Sequence, residues 1–244
     1  MDFNTGNMVT LVIVAVYAAV LVFYLRAEAA NDGPEGFKKA TRLKLTLSGM
    51  FIAVSIISEY LLYNYTVRSL FYIYLQAAVI IALVLAFFGD YFLQYIKLDV
   101  KKFKIGISFF TATQIVLIAM MCILYRVGIA EFIVTVGVLL LVLLLMKKQN
   151  WKLGEEGKRL TAYTILLVFM ASKAVVTFAT EKSVGTLLFA IGAVLFLLSD
   201  MLLGIWNYSS GARKYANLNW ITYFSGMMLI ALSVSPEFLH YLAY

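Results

Sequence analysis

The chain is predicted to be an all-α membrane protein with eight transmembrane helices, a single polytopic domain over residues 1–244. Three observations carry that expectation. First, 63% of the residues are hydrophobic and only 14% charged, with a mean hydropathy of +0.91; a water-exposed domain has no means of hiding that much apolar surface, whereas lipid tails solvate it. Second, apolar runs recur at about the 20-residue length that crosses a bilayer core as a helix. Third, basic residues crowd into alternate connections between those runs.

The runs are, in order, Met8–Leu25, Leu43–Leu62, Leu70–Leu93, Ile105–Tyr125, Gly128–Met146, Leu160–Phe178, Val184–Trp206 and Trp220–Leu239. The first could pass for a signal peptide, since Ala27-Glu28-Ala29 has small residues at cleavage spacing. No basic residue precedes it, however, and a cleaved signal carries a positive leading segment, so it reads as a retained helix. The second and third flank a short turn containing Asn64-Tyr65-Thr66, a glycosylation tripeptide of a common kind. The fourth and fifth are separated by the shortest connection. The sixth carries Lys173 within its apolar stretch, toward the outer end, where snorkelling is the expected behaviour. The seventh and eighth complete an even number of crossings. Two prolines and scattered glycines leave no sequence for a flexible linker.

Orientation follows from counting Lys and Arg. The first-to-second connection has Arg26, Lys38, Lys39 and Arg42, with Lys44 at the helix start; the third-to-fourth has Lys97, Lys101, Lys102 and Lys104. The fifth-to-sixth has Lys147, Lys148, Lys152, Lys158 and Arg159, and the seventh-to-eighth has Arg213 and Lys214. Opposite these sixteen stand only Arg68, Arg126 and Lys182. Basic connections stay cytoplasmic, so both termini are expected on the non-cytoplasmic side, and in the plasma membrane if the source is bacterial. The net charge of +7 has the same explanation and does not imply nucleic acid.

Composition excludes much chemistry. One cysteine, Cys122, rules out an internal disulfide. One histidine, His240, leaves no multi-histidine zinc site; carboxylate-bound Mg²⁺ stays open on composition, but neither metal nor cofactor is expected. No phosphate loop, nucleophile elbow or HExxH sequence occurs.

What remains is a pair of intramembrane acids. Phe88-Gly89-Asp90-Tyr91-Phe92-Leu93 ends the third run, and Leu198-Ser199-Asp200-Met201-Leu202-Leu203 lies late in the seventh. The two helices run in one direction, four spans apart, as in two four-helix halves related by a parallel repeat. An ionisable group in hydrocarbon costs at least about 2.5 kcal/mol and therefore tends to face the bundle interior. At helical spacing, Tyr72, Gln76, Asp90 and Gln94 share one side of the third helix; Thr186, Asp200, Gly204 and Asn207 share one side of the seventh. Lys44, Ser48, Ser55 and Glu59 form a stripe on the second, with Glu59 read as a solvated helix end. Each aspartate has a bland alternative, in which it pins a neighbouring helix or reaches the interface.

At Gly89-Asp90 and Ser199-Asp200 the chain resembles the YhhN family of membrane proteins, which includes the lysoplasmalogenases. A GD-x-x-L step is matched by Gly89, Asp90 and Leu93. A G-x-x-x-F-x-x-SD-x-x-L step is matched by Gly192, Phe196, Ser199, Asp200 and Leu203. Lys44 matches a basic position opening the second helix, without the proline that usually follows. Tyr163 and Met170 match the sixth helix, Thr222-Tyr223 the eighth, and Gln114 a His-or-Gln position in the fourth. A Gln expected soon after Thr-Tyr is absent, with Gly226-Met227 in its place.

The resemblance implies hydrolysis of the vinyl ether of a lysophospholipid substrate, a lysoplasmalogen, to a fatty aldehyde and a glycerophospho-base. Vinyl ethers cleave by protonation at carbon followed by capture of the oxocarbenium ion by water, for which two carboxylates in different protonation states are suited. Asp90 and Asp200 are the expected catalytic pair. Lys44, Gln114, Tyr163, Tyr223, Ser199 and Gln76 are the expected substrate contacts. Besides substrate, the expected partners are membrane lipids. Two other readings stay open: a proton-coupled transporter or lipid-binding protein with the same carboxylates, and a purely structural or sensory membrane protein.

Overall fold

The structure, a computed structural model, describes the backbone of residues 3–30, 33–63, 70–95 and 98–234. Its side chains are described over 11–30, 33–57, 73–95, 98–154, 156–209 and 211–234. Glu59, Arg68, Tyr72, Lys97, His240, the Asn64-Tyr65-Thr66 tripeptide and the last residues of the expected eighth span lie outside these.

Among the described residues there are eight α-helices and no strand: α1 (Phe3–Ala29), α2 (Gly33–Tyr63), α3 (Leu70–Leu93), α4 (Val100–Leu124), α5 (Ile129–Lys148), α6 (Gly157–Glu181), α7 (Val184–Ile205) and α8 (Arg213–Leu232). Seven of them are long and apolar enough to cross a membrane. The eighth falls short over its described length because Arg213, Lys214, Asn217 and Asn219 occupy its first two turns.

Several helices outrun their apolar cores. α2 begins ten residues before Leu43, α4 five before Ile105 and α8 seven before Trp220. A hydropathy run sees only the part in hydrocarbon; helical hydrogen bonding continues into the interface wherever a cap is available. α2 starts with Gly33 at φ +75°, Pro34 in the first turn and Glu35 at the positive end of the helix dipole. Asp99 caps α4, its Oδ1 accepting from the backbone N–H of Lys101 at 2.9 Å and Lys102 at 3.2 Å. α7 opens with a reciprocal box in which Ser183 Oγ accepts from Thr186 N–H at 3.1 Å and Thr186 Oγ1 accepts from Ser183 N–H at 3.2 Å. α7 closes in a π-helical turn, Trp206–Ser210, ended by Gly211 at φ +63°.

The described residues fall into two compact units, one of residues 1–113 and 231–244, the other of residues 114–230. In the first, α1 packs on α2 and α2 on α3. α3 and the first half of α4 approach closely, since a Cβ on Gly89 would meet the Phe110 ring at 2.7 Å. In the second, α5 packs on α6 and α6 on α7. α7 and α8 nearly touch backbone to backbone: a Cβ on Gly192 would lie 2.7 Å from the Gly226 carbonyl oxygen, and one on Gly226 2.8 Å from that of Gly192. Small residues permit such contact, which is how helices gain packing energy where lipid provides no hydrophobic drive.

Large apolar side chains turn outward on most helices, Leu11 at 68% exposure, Ile133 at 66% and Leu141 at 65% among them. In water such a surface would aggregate; in lipid it is the proper solvent boundary. Buried positions, conversely, include Lys44, Ser48, Gln76, Asp90, Gln114, Glu131 and Lys173. The polar groups go in and the apolar ones go out.

Candidate functional site

The first unit holds one cluster. Asp90, one turn before the end of α3, is 2% exposed. Lys44 on α2 brings its Nζ to 3.3 Å from Asp90 Oδ1. One turn on, Ser48 donates from Oγ to Asp90 Oδ2 at 2.6 Å. The i, i+4 spacing of Lys44 and Ser48 puts ammonium and hydroxyl over the same carboxylate, one on each oxygen. Tyr17 of α1, also buried, is near enough to feel the aspartate charge. Gly89 is required beside Asp90 because the Phe110 ring takes the space of a side chain there.

The second unit holds another cluster. Tyr163 of α6 donates its hydroxyl to Asp200 Oδ2 on α7. Ser199 Oγ stands 3.4 Å from Asp200 Oδ1 but 2.7 Å from the Phe196 carbonyl, so its single proton belongs chiefly to the backbone. The Ser199 carbonyl in turn accepts from Asn219 Nδ2 of α8 at 2.8 Å. Gln114 of α4 is wholly buried, with its amide within reach of the Tyr163 hydroxyl. Yet neither Nε2 nor Oε1 completes a hydrogen bond to the protein. Leaving a buried amide unpaired costs on the order of 1–3 kcal/mol. Tyr223 is buried with its ring 5.8 Å from Phe196, edge to face.

The expected site residues therefore divide. Lys44 joins Asp90; Tyr163 and Ser199 gather at Asp200, with Gln114 beside Tyr163; Tyr223 packs on Phe196, one turn from Asp200. Gln76 is elsewhere: it precedes Asp90 by 14 residues, about 21 Å along the helix, and its Nε2 donates to the Val234 carbonyl at 3.2 Å. The stripe drawn through Thr186, Gly204 and Asn207 also serves several ends. Thr186 caps α7, Gly204 lies under the Trp151 ring, and Asn207 donates to the Leu203 carbonyl at 3.1 Å.

One expectation is overturned. Lys173 does not snorkel; it is 1% exposed, with Nζ at 2.9 Å from Glu131 Oε1 of α5 and 2.6 Å from the Arg126 carbonyl. Glu131 uses its other oxygen to accept from Gly128 N–H at 2.9 Å, closing the first turn of α5. Buried cation and anion satisfy one another, which beats dragging a long side chain to the interface. Sequence reasoning passed over Glu131 because an acid in a helix's first turn has a sufficient local explanation. Tyr17 and Asn219 also escaped it, being common residue types whose partners lie on other helices.

A model of the YhhN family matches residues 50–234. That stretch contains Asp90, Gln114, Tyr163, Asp200 and Tyr223, and leaves out Lys44. No curated protein and no solved structure matches the chain.

Proposed function

The chain belongs to the YhhN family, and from that premise we propose that it is a membrane-embedded, metal-independent ether hydrolase that cleaves the vinyl ether of lysoplasmalogens. What supports the reading most is the contrast between its two intramembrane aspartates. Asp90 has Lys44 to balance its charge and so acts as a fixed anion. Asp200 has hydroxyl neighbours and no cation among the described residues, so it is the carboxyl that exchanges a proton. A difference in surroundings is what separates a proton-exchanging acid from a fixed anion between like groups.

Asp200 delivers its proton to the β-carbon of the vinyl ether. The C=C π pair forms the new C–H bond, and an ether-oxygen lone pair forms the C=O⁺ bond of an oxocarbenium ion. The Asp200 carboxylate left by that transfer favours the cation electrostatically. Water adds to the cationic carbon and loses a proton; the hemiacetal then releases the glycerol oxygen as an alcohol and leaves a fatty aldehyde. In this reading the basic connections are cytoplasmic and the acyl-like chain lies among apolar helix faces.

The experiment is incubation of purified protein in detergent with a choline or ethanolamine lysoplasmalogen, followed by detection of aldehyde. A proton-coupled transporter produces none there, since detergent sustains no gradient. Absence of aldehyde from folded protein rejects the hydrolase reading.

A further inference from the structure

We propose that Gln114 and Tyr163 hold the water that attacks the oxocarbenium ion and relay its proton to Asp200. The inference rests on the hydrolase reading above and deepens it, assigning the second half of the reaction to named atoms. Its foundation is the Gln114 amide, fully buried on α4 with neither polar atom bonded to the protein. A group so placed, beside a hydroxyl that itself holds a carboxylate, is a recognition element for something small that both donates and accepts.

Water meets that description. Tyr163 gives its own proton to Asp200, so the lone pairs of its oxygen are the part left to a neighbour. A water seated against both Tyr163 and Gln114 donates one hydrogen to the tyrosine oxygen and takes a hydrogen from Gln114 Nε2 or gives one to Oε1. Asp200 is a carboxylate once it has protonated carbon, and the Tyr163 hydroxyl already points its proton at that carboxylate. As the water oxygen bonds to the cationic carbon, its proton passes to Tyr163 while the tyrosine proton passes to Asp200. The acid is restored with no outside base, and the net change is addition of H₂O across the vinyl ether.

The relay also explains a choice the enzyme must enforce. A lysoplasmalogen carries a free hydroxyl next to its ether, and that hydroxyl can close on the oxocarbenium carbon to give a cyclic acetal. The ring-closed product is an isomer of the substrate. A water already in line prevents this by reacting first.

The test uses full-length protein in detergent, comparing wild type with Gln114→Leu, Gln114→His and Tyr163→Phe. Aldehyde and cyclic acetal are quantified together, because their ratio does not depend on how much protein is folded. For Gln114→Leu, aldehyde formation is expected to fall on the order of 10²-fold, with a several-fold larger cyclic-acetal share. Its Tm should be unchanged or raised by about 2–4 °C, since an unpaired buried amide has been removed. Gln114→His keeps a donor and an acceptor and should retain the wild-type product ratio; Tyr163→Phe should shift the ratio as Gln114→Leu does. A wild-type ratio and rate in Gln114→Leu, or a lowered Tm with an unchanged ratio, overturns the relay while leaving the hydrolase reading intact. No aldehyde from wild type removes both.

Discussion

Asp90 and Asp200 occupy matching places in the chain, each following a small residue and each preceding a leucine by three, but their surroundings diverge. In the first unit a lysine and a serine one helical turn apart take one carboxylate oxygen each. In the second a tyrosine takes one oxygen, a serine stands at the edge of range of the other, and a buried amide waits alongside. One aspartate is locked as half of an ion pair; the other is held by groups that can pass a proton. Local sequence is a poor guide to which is which, because the deciding partners come from α2 in one unit and α6 in the other.

The sharpest way to break this contrast is to replace each acid by its amide. Asp200→Asn is expected to lower turnover by about 10²–10⁴-fold with little change in stability, since asparagine still accepts from Tyr163 but has no proton to exchange. Asp90→Asn should lose activity and stability together, because Lys44 is then buried without a counter-charge, at a cost of about 3–5 kcal/mol. Aldehyde assays beside denaturant or thermal unfolding separate the two. Equal profiles for both variants, or more than about a tenth of wild-type turnover in both, would sink the division of roles.

Next in size is Lys173→Met. It strands Glu131 and should cost a similar 3–5 kcal/mol of unfolding free energy, while the variant that folds keeps its activity per molecule. Adding Glu131→Leu should recover most of that stability, as a buried pair replaced whole by apolar groups is frequently neutral. This pair thus serves as the purely structural counterpart of Lys44 and Asp90, and a loss of turnover per folded molecule would show otherwise. The smallest expected effect is Gly226→Ala, whose methyl meets the Gly192 carbonyl at 2.8 Å. Overpacking there should lower stability by about 1–3 kcal/mol, read as a fall in Tm with the product ratio unchanged.

The same contact accounts for a departure noted from sequence, the glycine-methionine step where a glutamine was expected after Thr222-Tyr223. With the Gly192 carbonyl that close, position 226 has no room for a side chain, so any glutamine would have to come from another position. Gly192 itself was legible as a motif residue, though its reason was not: the signal in sequence is a lone glycine, and the cause is a backbone on another helix. The snorkelling expected of Lys173 failed likewise. Nothing nearby in the chain announces Glu131, 42 residues earlier.

Composition and the rhythm of apolar runs determined, unaided, that the chain is helical and built for lipid, because backbone polar groups in hydrocarbon must be satisfied within each span and about 20 apolar residues do so. The isolated aspartates, too, were visible as costly exceptions. Which groups hold them, which polar side chain is left unpaired and which lysine is tied down were decided only by tertiary packing. Those outcomes depend on partners tens of residues distant, and burial sets their energies once the helices have come together.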